Sequence, residues 1–326
     1  MKLLTIIIPC YNAEKYINRC FSSLNKIKGE INAIFVNDGS TDSTKEIIER
    51  YIACNDDWAI LINKSNGGYS TAINAGLDNC NSEYVMFMGV DDEIIADGIR
   101  NVLLHLELNK PDILAFSTSK IDDEKANPPF FDIDSLATYD KPGFYETGIC
   151  NLYNEIGNDS LILFSRDTSR CYKKSLINNL RYFGARGVSA DGCFSALLSY
   201  RATSFEFLNE NCYLWHLHGD SVSKTKQSIV ALKDEANVWH DFFDSFFKAS
   251  LNCQVIDPIV SYILRYEQVL FHLKKKKEKD FVKPHVVFLR TVVKLARKNK
   301  CISFKYSLFL CFHKFIAYRS YIKSIQ

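Results

Sequence analysis

Residues 3–14 read Leu-Leu-Thr-Ile-Ile-Ile-Pro-Cys-Tyr-Asn-Ala-Glu. The run Leu3–Ile8 is continuously apolar and rich in β-branched residues, the pattern of a strand buried on both faces. It stops at Pro9 in polar turn residues. From Ala13 to Leu24 the apolar positions Tyr16, Ile17, Cys20, Phe21 and Leu24 then recur at helical spacing. The same alternation continues outward. Ile31–Val36 is a second strand, and Asp42 or Ser43 can cap a helix through Ile47, Ile48, Tyr51 and Ile52. Ala59–Ile62, Tyr84–Met88 and Ile113–Phe116 are further strands, with a helix starting at Tyr69 after the Gly67-Gly68 turn. Strands alternating with helices predict parallel βαβ units, a Rossmann-like, mostly parallel sheet covered by helices on both faces.

Ligands of such sheets bind beyond the carboxyl ends of the strands. Four segments occupy those positions: Pro9–Asn12, Asn37–Ser40, Asn63–Asn66 and Gly89–Asp92. All are polar and turn-forming. Asp91-Asp92 is a pair of adjacent carboxylates that repel unless a cation or hydrogen-bond donors hold them; Mg²⁺ or Mn²⁺ against a diphosphate suits oxygen ligands, and a helix N-cap at Asp92 is the plainer reading. Asp38, in Asn-Asp-Gly-Ser-Thr-Asp, reads either as an Asx turn or as an acceptor for a base or ribose. Tyr11 offers a ring for stacking or simply for packing. No GxGxxG and no GxxxxGK[ST] occurs, which removes the main support for dinucleotide and P-loop functions.

These segments in this order resemble the family 2 glycosyltransferases: Ile-Ile-Pro-Cys-Tyr-Asn-Ala-Glu, Val-Asn-Asp-Gly-Ser-Thr-Asp, Asn-Gly-Gly followed by Ala-Ile-Asn-Ala-Gly-Leu, and Phe-Met-Gly-Val-Asp-Asp. The resemblance covers about residues 3–223. It implies the GT-A fold and an inverting transfer of one sugar from a nucleotide-diphosphate donor, a UDP-sugar by expectation, to an acceptor hydroxyl in cell-surface polysaccharide synthesis. Pro9, Tyr11 and Glu14 then lie in the first nucleotide-binding segment, Asp38 contacts the base, and Asn66 and Gly67 lie near the nucleotide. Asp91 becomes the metal-binding carboxylate, with Asp92 beside it on the nucleotide sugar, and the cofactor is Mn²⁺ or Mg²⁺. The first Asp of the usual Asp-x-Asp motif is Gly89 here, and the Arg usual in the third segment is Ile73, for which Lys64 is a candidate replacement.

An inverting transfer needs a carboxylate that takes the acceptor proton. The family places it in a Glu-Asp pair opening a helix, and Ser189-Ala190-Asp191-Gly192-Cys193-Phe194 fits that place, with Asp191 as the base and Ala190 where Glu is usual. Without the resemblance, Asp191 reads as a helix N-cap. Trp215–Ser223 resembles the stretch that closes the catalytic domain. His218 falls on its histidine, a candidate metal ligand or a packing residue, and His216 stands where Arg is usual.

The remaining features bound the partners. Eleven scattered cysteines without CxxC spacing suggest reduced thiols, and no signal-peptide or membrane-spanning pattern is found, so a cytoplasmic protein is expected. From Lys274 onward 15 Lys and Arg meet 2 acids, whereas the rest of the chain carries 25 bases against 36 acids. We expect a transferase domain over 1–223 and a basic helical region over 224–326, with breaks near Pro258 and Pro284. That basic region either packs on the catalytic domain or lies on the anionic inner face of a membrane, where a lipid-linked glycan acceptor would be found. No motif points to nucleic acid. A non-catalytic nucleotide-sugar-binding or scaffold subunit is the alternative function. A sugar nucleotidyltransferase is disfavoured, because its Gly-rich, Arg/Lys-bearing N-terminal loop is absent from this sequence.

Overall fold

The computed structural model describes residues 2–123, 131–132, 140–156, 163, 167–185, 189–219, 228–248 and 256–298. In chain order the elements are β1 (Leu4–Cys10), α1 (Ile17–Leu24), β2 (Asn32–Asp38), α2 (Thr44–Ile52), β3 (Ala59–Lys64), α3 (Tyr69–Asn79), β4 (Tyr84–Phe87), β5 (Glu93–Ile94), α4 (Ala96–Asn109) and β6 (Ile113–Asp122). There follow β7 (Phe131–Asp132), β8 (Gly143–Tyr145), α5 (Ile149–Ile156), β9 (Arg170–Lys173), α6 (Lys174–Ile177), α7 (Ala190–Arg201), β10 (Phe205–Leu217), α8 (Ile229–Lys248), α9 (Ile256–Lys275) and α10 (Lys279–Lys298). The described strands form one sheet in the order β3-β2-β1-β4-β9-β6-β10-β5, with β7 on β6 and β8 on β10.

The strands expected from apolar runs are present and parallel where the βαβ pattern requires: β1 pairs with both β2 and β4, and β2 with β3. β1 is buried on both faces, as its composition predicts. Leu4, Ile6 and Ile8 join Ile17, Cys20, Phe21 and Leu24 of α1 and Ile99, Val102 and Leu106 of α4 in one core. Ile7 faces α3, where a Cβ on Gly76 would lie 2.4 Å from its Cγ2. Each such side chain contributes roughly 1.5–3 kcal/mol through burial, so the strand order is firmly fixed. The other half of the sheet is mixed. β9 runs antiparallel to both β4 and β6, and β5, β7 and β8 also pair antiparallel. The mostly parallel sheet read from the sequence is therefore its first half, because β9, which begins 48 positions after the end of β6, inserts between β4 and β6 out of chain order.

The chain divides into two compact units at Val238/Trp239, not at the expected 223/224. Two carboxylates early in α8 bond to the segment that precedes α7, which keeps the start of α8 with the first unit. In the second unit, Trp239, Phe242, Phe243, Phe246, Tyr262 and Tyr266 are buried. Helix α10 runs through Pro284 rather than breaking there. Only about one turn precedes this proline, so little of the helical hydrogen-bond ladder is given up. Val282, His285, Leu289, Val292, Val293 and Ala296 of α10 are buried. This face of α10 packs against α9, while Val287 is 59% exposed. Lys283, Arg290 and Lys294 remain exposed. The basic region beyond residue 298 lies outside the described residues. No described helix is long and apolar enough to cross a membrane.

Candidate functional site at the carboxyl edge of the sheet

Strands β2, β1 and β4 end side by side, so Asp38 and the Gly89–Asp92 turn stand two strand spacings apart, about 10 Å. Between them, the turn after β1 is latched to the turn after β2. Asn12, at φ 48°, accepts from Thr41 N at 2.8 Å and donates its own N–H to Ser40 Oγ at 3.1 Å. Glu14 N donates to Asp42 Oδ2 at 3.2 Å, while Glu14 Oε2 accepts from Ser43 N at 3.0 Å. Glu14 therefore satisfies a donor at the start of α2. This latch leaves the Tyr11 ring 51% exposed, an open apolar face beside Pro9.

Asp38 lies at the end of β2 and is buried. Its side chain is 4% exposed, and it accepts from Lys64 Nζ at 2.6 Å, Gly67 N at 2.9 Å and Gly68 N at 2.7 Å. Three of roughly four acceptor positions of a carboxylate are taken. In this state Asp38 braces the turn into α3. Lys64 is committed as well, to Asp38, Ser65 O at 2.7 Å and Thr71 Oγ1 at 3.0 Å. It does not stand in for the missing arginine, and Ile73 is fully buried in the core. Gly67 makes the arrangement possible: a Cβ there would meet Thr71 Oγ1 at 2.6 Å and Lys64 Nζ at 2.9 Å. Asn66 is exposed and its Nδ2 donates to Asp38 O at 2.9 Å.

The two adjacent acids divide their work. Asp92 is 5% exposed and turned inward. Tyr213 Oη donates to its Oδ2 at 2.5 Å, and His216 N to its Oδ1 at 2.9 Å. Burial, then the neighbouring Asp91 charge, push its pKa up to about 8 against those two bonds. Both Asp92 oxygens are held by donors of β10. Asp91 points the other way. Its side chain is 32% exposed, and Oδ2 lies 2.9 Å from His218 Nε2. The His218 ring stacks on Tyr16, with centroids 4.0 Å apart. Gly89 sits beneath both acids: a Cβ there would fall 2.6 Å from Asp92 Oδ2 and 2.8 Å from Asp91 Oδ1. The glycine in the first position of the acid motif is thus matched to the packing of the other two.

A partly exposed carboxylate and a buried imidazole in direct contact are a donor set that fits a divalent cation with mixed oxygen and nitrogen ligands, Mn²⁺ better than Mg²⁺. Among the described residues no cluster supplies three such side chains. A cation here would complete its coordination with ligand oxygens and water. His216, where arginine is usual, sits between two acids, its Nδ1 2.8 Å from Asp123 and its Nε2 2.9 Å from Glu93. Burial opposes charge on this ring, but the bonds to Glu93 and Asp123 outweigh it and its pKa is raised. Arg19 closes the group, 2.8 Å from Asp123 Oδ2. Arg19, Glu93, Asp123 and Tyr213 carry no signal in the sequence, since their partners lie 93 to 124 positions away or on an unforeseen strand.

Asp191 lies in the first turn of α7, after the N-cap Ser189. It is partly exposed, and its Oδ1 accepts from Gly192 N at 2.7 Å. The positive end of the helix favours a carboxylate in this turn. Ser221 and Ser223, of the closing stretch, lie outside the described residues.

Sheet order and edge together are those of the GT-A fold. Residues 5–165 match Glycosyl transferase family 2. The chain is 28% identical over 237 residues to glycosyltransferase GlyA of Streptococcus pneumoniae, covering 71% of this chain and 33% of that protein. It is 23% identical over 274 residues to glycosyltransferase GlyG of the same organism, covering 82% of this chain and 89% of that protein. The chain therefore spans one third of GlyA but most of GlyG. S. aureus TarS 1–349 in complex with UDP-GlcNAc superposes with a TM-score of 0.58 at 20% identity, over 91% of this chain and 92% of that one. These matches support a glycosyltransferase of family 2.

Proposed function

We propose that this glycosyltransferase moves a sugar from a UDP-sugar to an acceptor hydroxyl with inversion, in the assembly of a cell-surface polysaccharide. The observation that carries the reading is the Asp91–His218 pair, brought together from 127 positions apart at the carboxyl edge of the sheet. A divalent cation held by these two side chains would stabilise the charge growing on the departing diphosphate. Tyr11 would stack on the uracil, with Pro9 beside it, and Asn66 and Gly67 would border the nucleotide on the turn that Asp38 braces. Asp92 and Glu14 act behind these contacts, Asp92 by fixing β10 and Glu14 by fixing the start of α2. Asp191 takes the proton from the acceptor hydroxyl as its oxygen bonds to the anomeric carbon and the bond from that carbon to the diphosphate breaks. One displacement inverts the configuration. The association of S. aureus TarS with UDP-GlcNAc makes that donor the first to test. The exposed bases of α10 suit an electrostatic approach to an anionic membrane that carries a lipid-linked acceptor.

The test is thermal stabilisation by UDP-GlcNAc, UDP-glucose, GDP-mannose and dTDP-rhamnose, with and without Mn²⁺, followed by release of free nucleotide. Saturation at about 100 times the dissociation constant stabilises by about 2.7 kcal/mol. The reading predicts Mn²⁺-dependent stabilisation by a UDP-sugar that Asp91→Ala abolishes. Binding without turnover would make the chain a nucleotide-sugar-binding subunit instead, and binding of no donor would end the proposal.

A further inference from the structure

Asp191 does not hold its place alone. Tyr182, Ala185 and Ser189, which precede it in the chain, are pinned from two sides. On the donor side, Asn74 of α3 exchanges two bonds with the backbone of Tyr182, Nδ2 to O at 3.1 Å and N to Oδ1 at 2.9 Å. Ser70 N adds a bond to Ala185 O at 3.3 Å. On the far side stand two consecutive acids of α8. Asp234 accepts the Ala185 N–H at 3.1 and 3.0 Å on its two oxygens. Glu235, 4% exposed, accepts from Ser189 N at 3.0 Å and from Ser189 Oγ. Gly184, at φ +62°, lets the chain lie against α8, because a Cβ there would come within 2.6 Å of Val238 Cγ2.

The way α7 begins makes these contacts more than packing. Ser189 is its N-cap, yet the hydroxyl makes no capping bond to the helix; it turns to Glu235 instead. The start of α7, two residues before Asp191, is therefore set by a side chain 46 positions downstream. A buried carboxylate is costly unless it is hydrogen-bonded, and both bonds described for Glu235 go to this one residue.

We infer that Glu235, seconded by Asp234, is a positioning residue that holds Asp191 in register with the donor site. The inference rests on Asp191 being the base. It adds that α8, which the sequence assigns to the C-terminal region, completes the transferase site. A base must sit within about 2.6–3.2 Å of the proton it takes, and a displacement of about 1 Å can cost on the order of 100-fold in rate. Glu235 acts only through that placement, so its loss lowers kcat and leaves donor affinity alone.

The experiment uses the full chain and a double-mutant cycle. Initial rates of UDP release over a range of UDP-GlcNAc concentrations with Mn²⁺ give kcat and KM for the wild type, Glu235→Gln, Asp191→Asn and the double variant. Glu235→Gln keeps the size of the side chain and one acceptor, which guards the fold, and its melting temperature is recorded alongside. The expected result is a loss of about 10-fold in kcat for Glu235→Gln, with donor KM within about 2-fold and no further loss in the Asp191→Asn background. Equal fractional losses in both backgrounds, or a shift in KM with kcat unchanged, overturn the inference. Hydrogen exchange gives a second reading that needs no turnover: Glu235→Gln should speed exchange over 182–192 and leave β1 to β4 unchanged, and uniform exchange overturns the inference too. An Asp191→Asn variant at wild-type rate, or a wild type without turnover, instead refutes the proposed reaction on which it depends.

Discussion

Gly89→Ala should damage this protein although it adds only one methyl group. The backbone at Gly89 is not in the left-handed region, so the effect is steric alone. The new Cβ would lie 2.6 Å from Asp92 Oδ2 and 2.8 Å from Asp91 Oδ1, short of ordinary contact at 3.4 Å by 0.8 and 0.6 Å. Asp92 cannot yield cheaply, because Tyr213 Oη and His216 N hold it at 2.5 and 2.9 Å, and a movement of 0.8 Å would stretch the first of these beyond hydrogen-bond length. Asp91 can yield, but only by leaving His218. Overpacking costs about 1–3 kcal/mol, and a weakened bond to a buried carboxyl about as much, so the variant should lose about 2 kcal/mol in urea unfolding without ligands. It should also lose Mn²⁺-dependent stabilisation by a UDP-sugar. Gly89→Asp, which restores the usual acid motif, should do worse, since it places a third carboxylate beside two. A Gly89→Ala variant as stable as wild type within about 0.5 kcal/mol, with its Mn²⁺ response intact, would refute the packing argument.

Two further outcomes follow from the same edge. Lys64→Met leaves the Asp38 carboxylate without its cation; because Lys64 is 23% exposed, the loss should be about 2–3 kcal/mol, below the 3–5 kcal/mol of a fully buried pair, and equilibrium unfolding reads it directly. Asp42→Ala removes the acceptor for Thr44 N, Thr44 Oγ1 and Glu14 N and should cost about 1 kcal/mol at pH 7. Burial works to raise the Asp42 pKa, but its hydrogen bonds outweigh it and the pKa is lowered. Its contribution is thus present above the ordinary carboxylate pKa and lost as pH falls through the folded value. The gap between variant and wild type should therefore narrow in acid, and an unchanged gap at pH 3 would contradict this assignment.

Much of the fold was legible because burial on both faces leaves a plain mark. Leu3–Ile8, Ile31–Val36 and Tyr84–Met88 could hardly be anything but central strands, and the polar turns after them marked the binding edge. What could not be read is whatever comes back from far along the chain. β9 and β10 enter the sheet out of order, and β10 alone brings Tyr213, His216 and His218 to the acid pair. His218 was found by resemblance, whereas Tyr213 was not found at all. The sequence also could not tell which way each acid turns. Asp91 and Asp92 are neighbours of equal chemistry, and only the donors on β10 decide that one is buried and the other open. Asp38 shows the same limit: its motif was recognised, but its partner Lys64 lies on the next strand, and no local pattern pairs them. Glu235 lay beyond the expected domain boundary and bore no mark of its role.

The most direct test is anomalous diffraction at the manganese edge from crystals grown with UDP and Mn²⁺. The account predicts one peak bonded to a carboxylate oxygen of Asp91 and to Nε2 of His218, with the pair parted to admit the ion and diphosphate oxygens completing its shell. A peak elsewhere, or UDP bound with the 2.9 Å contact between Asp91 and His218 still closed, would contradict it.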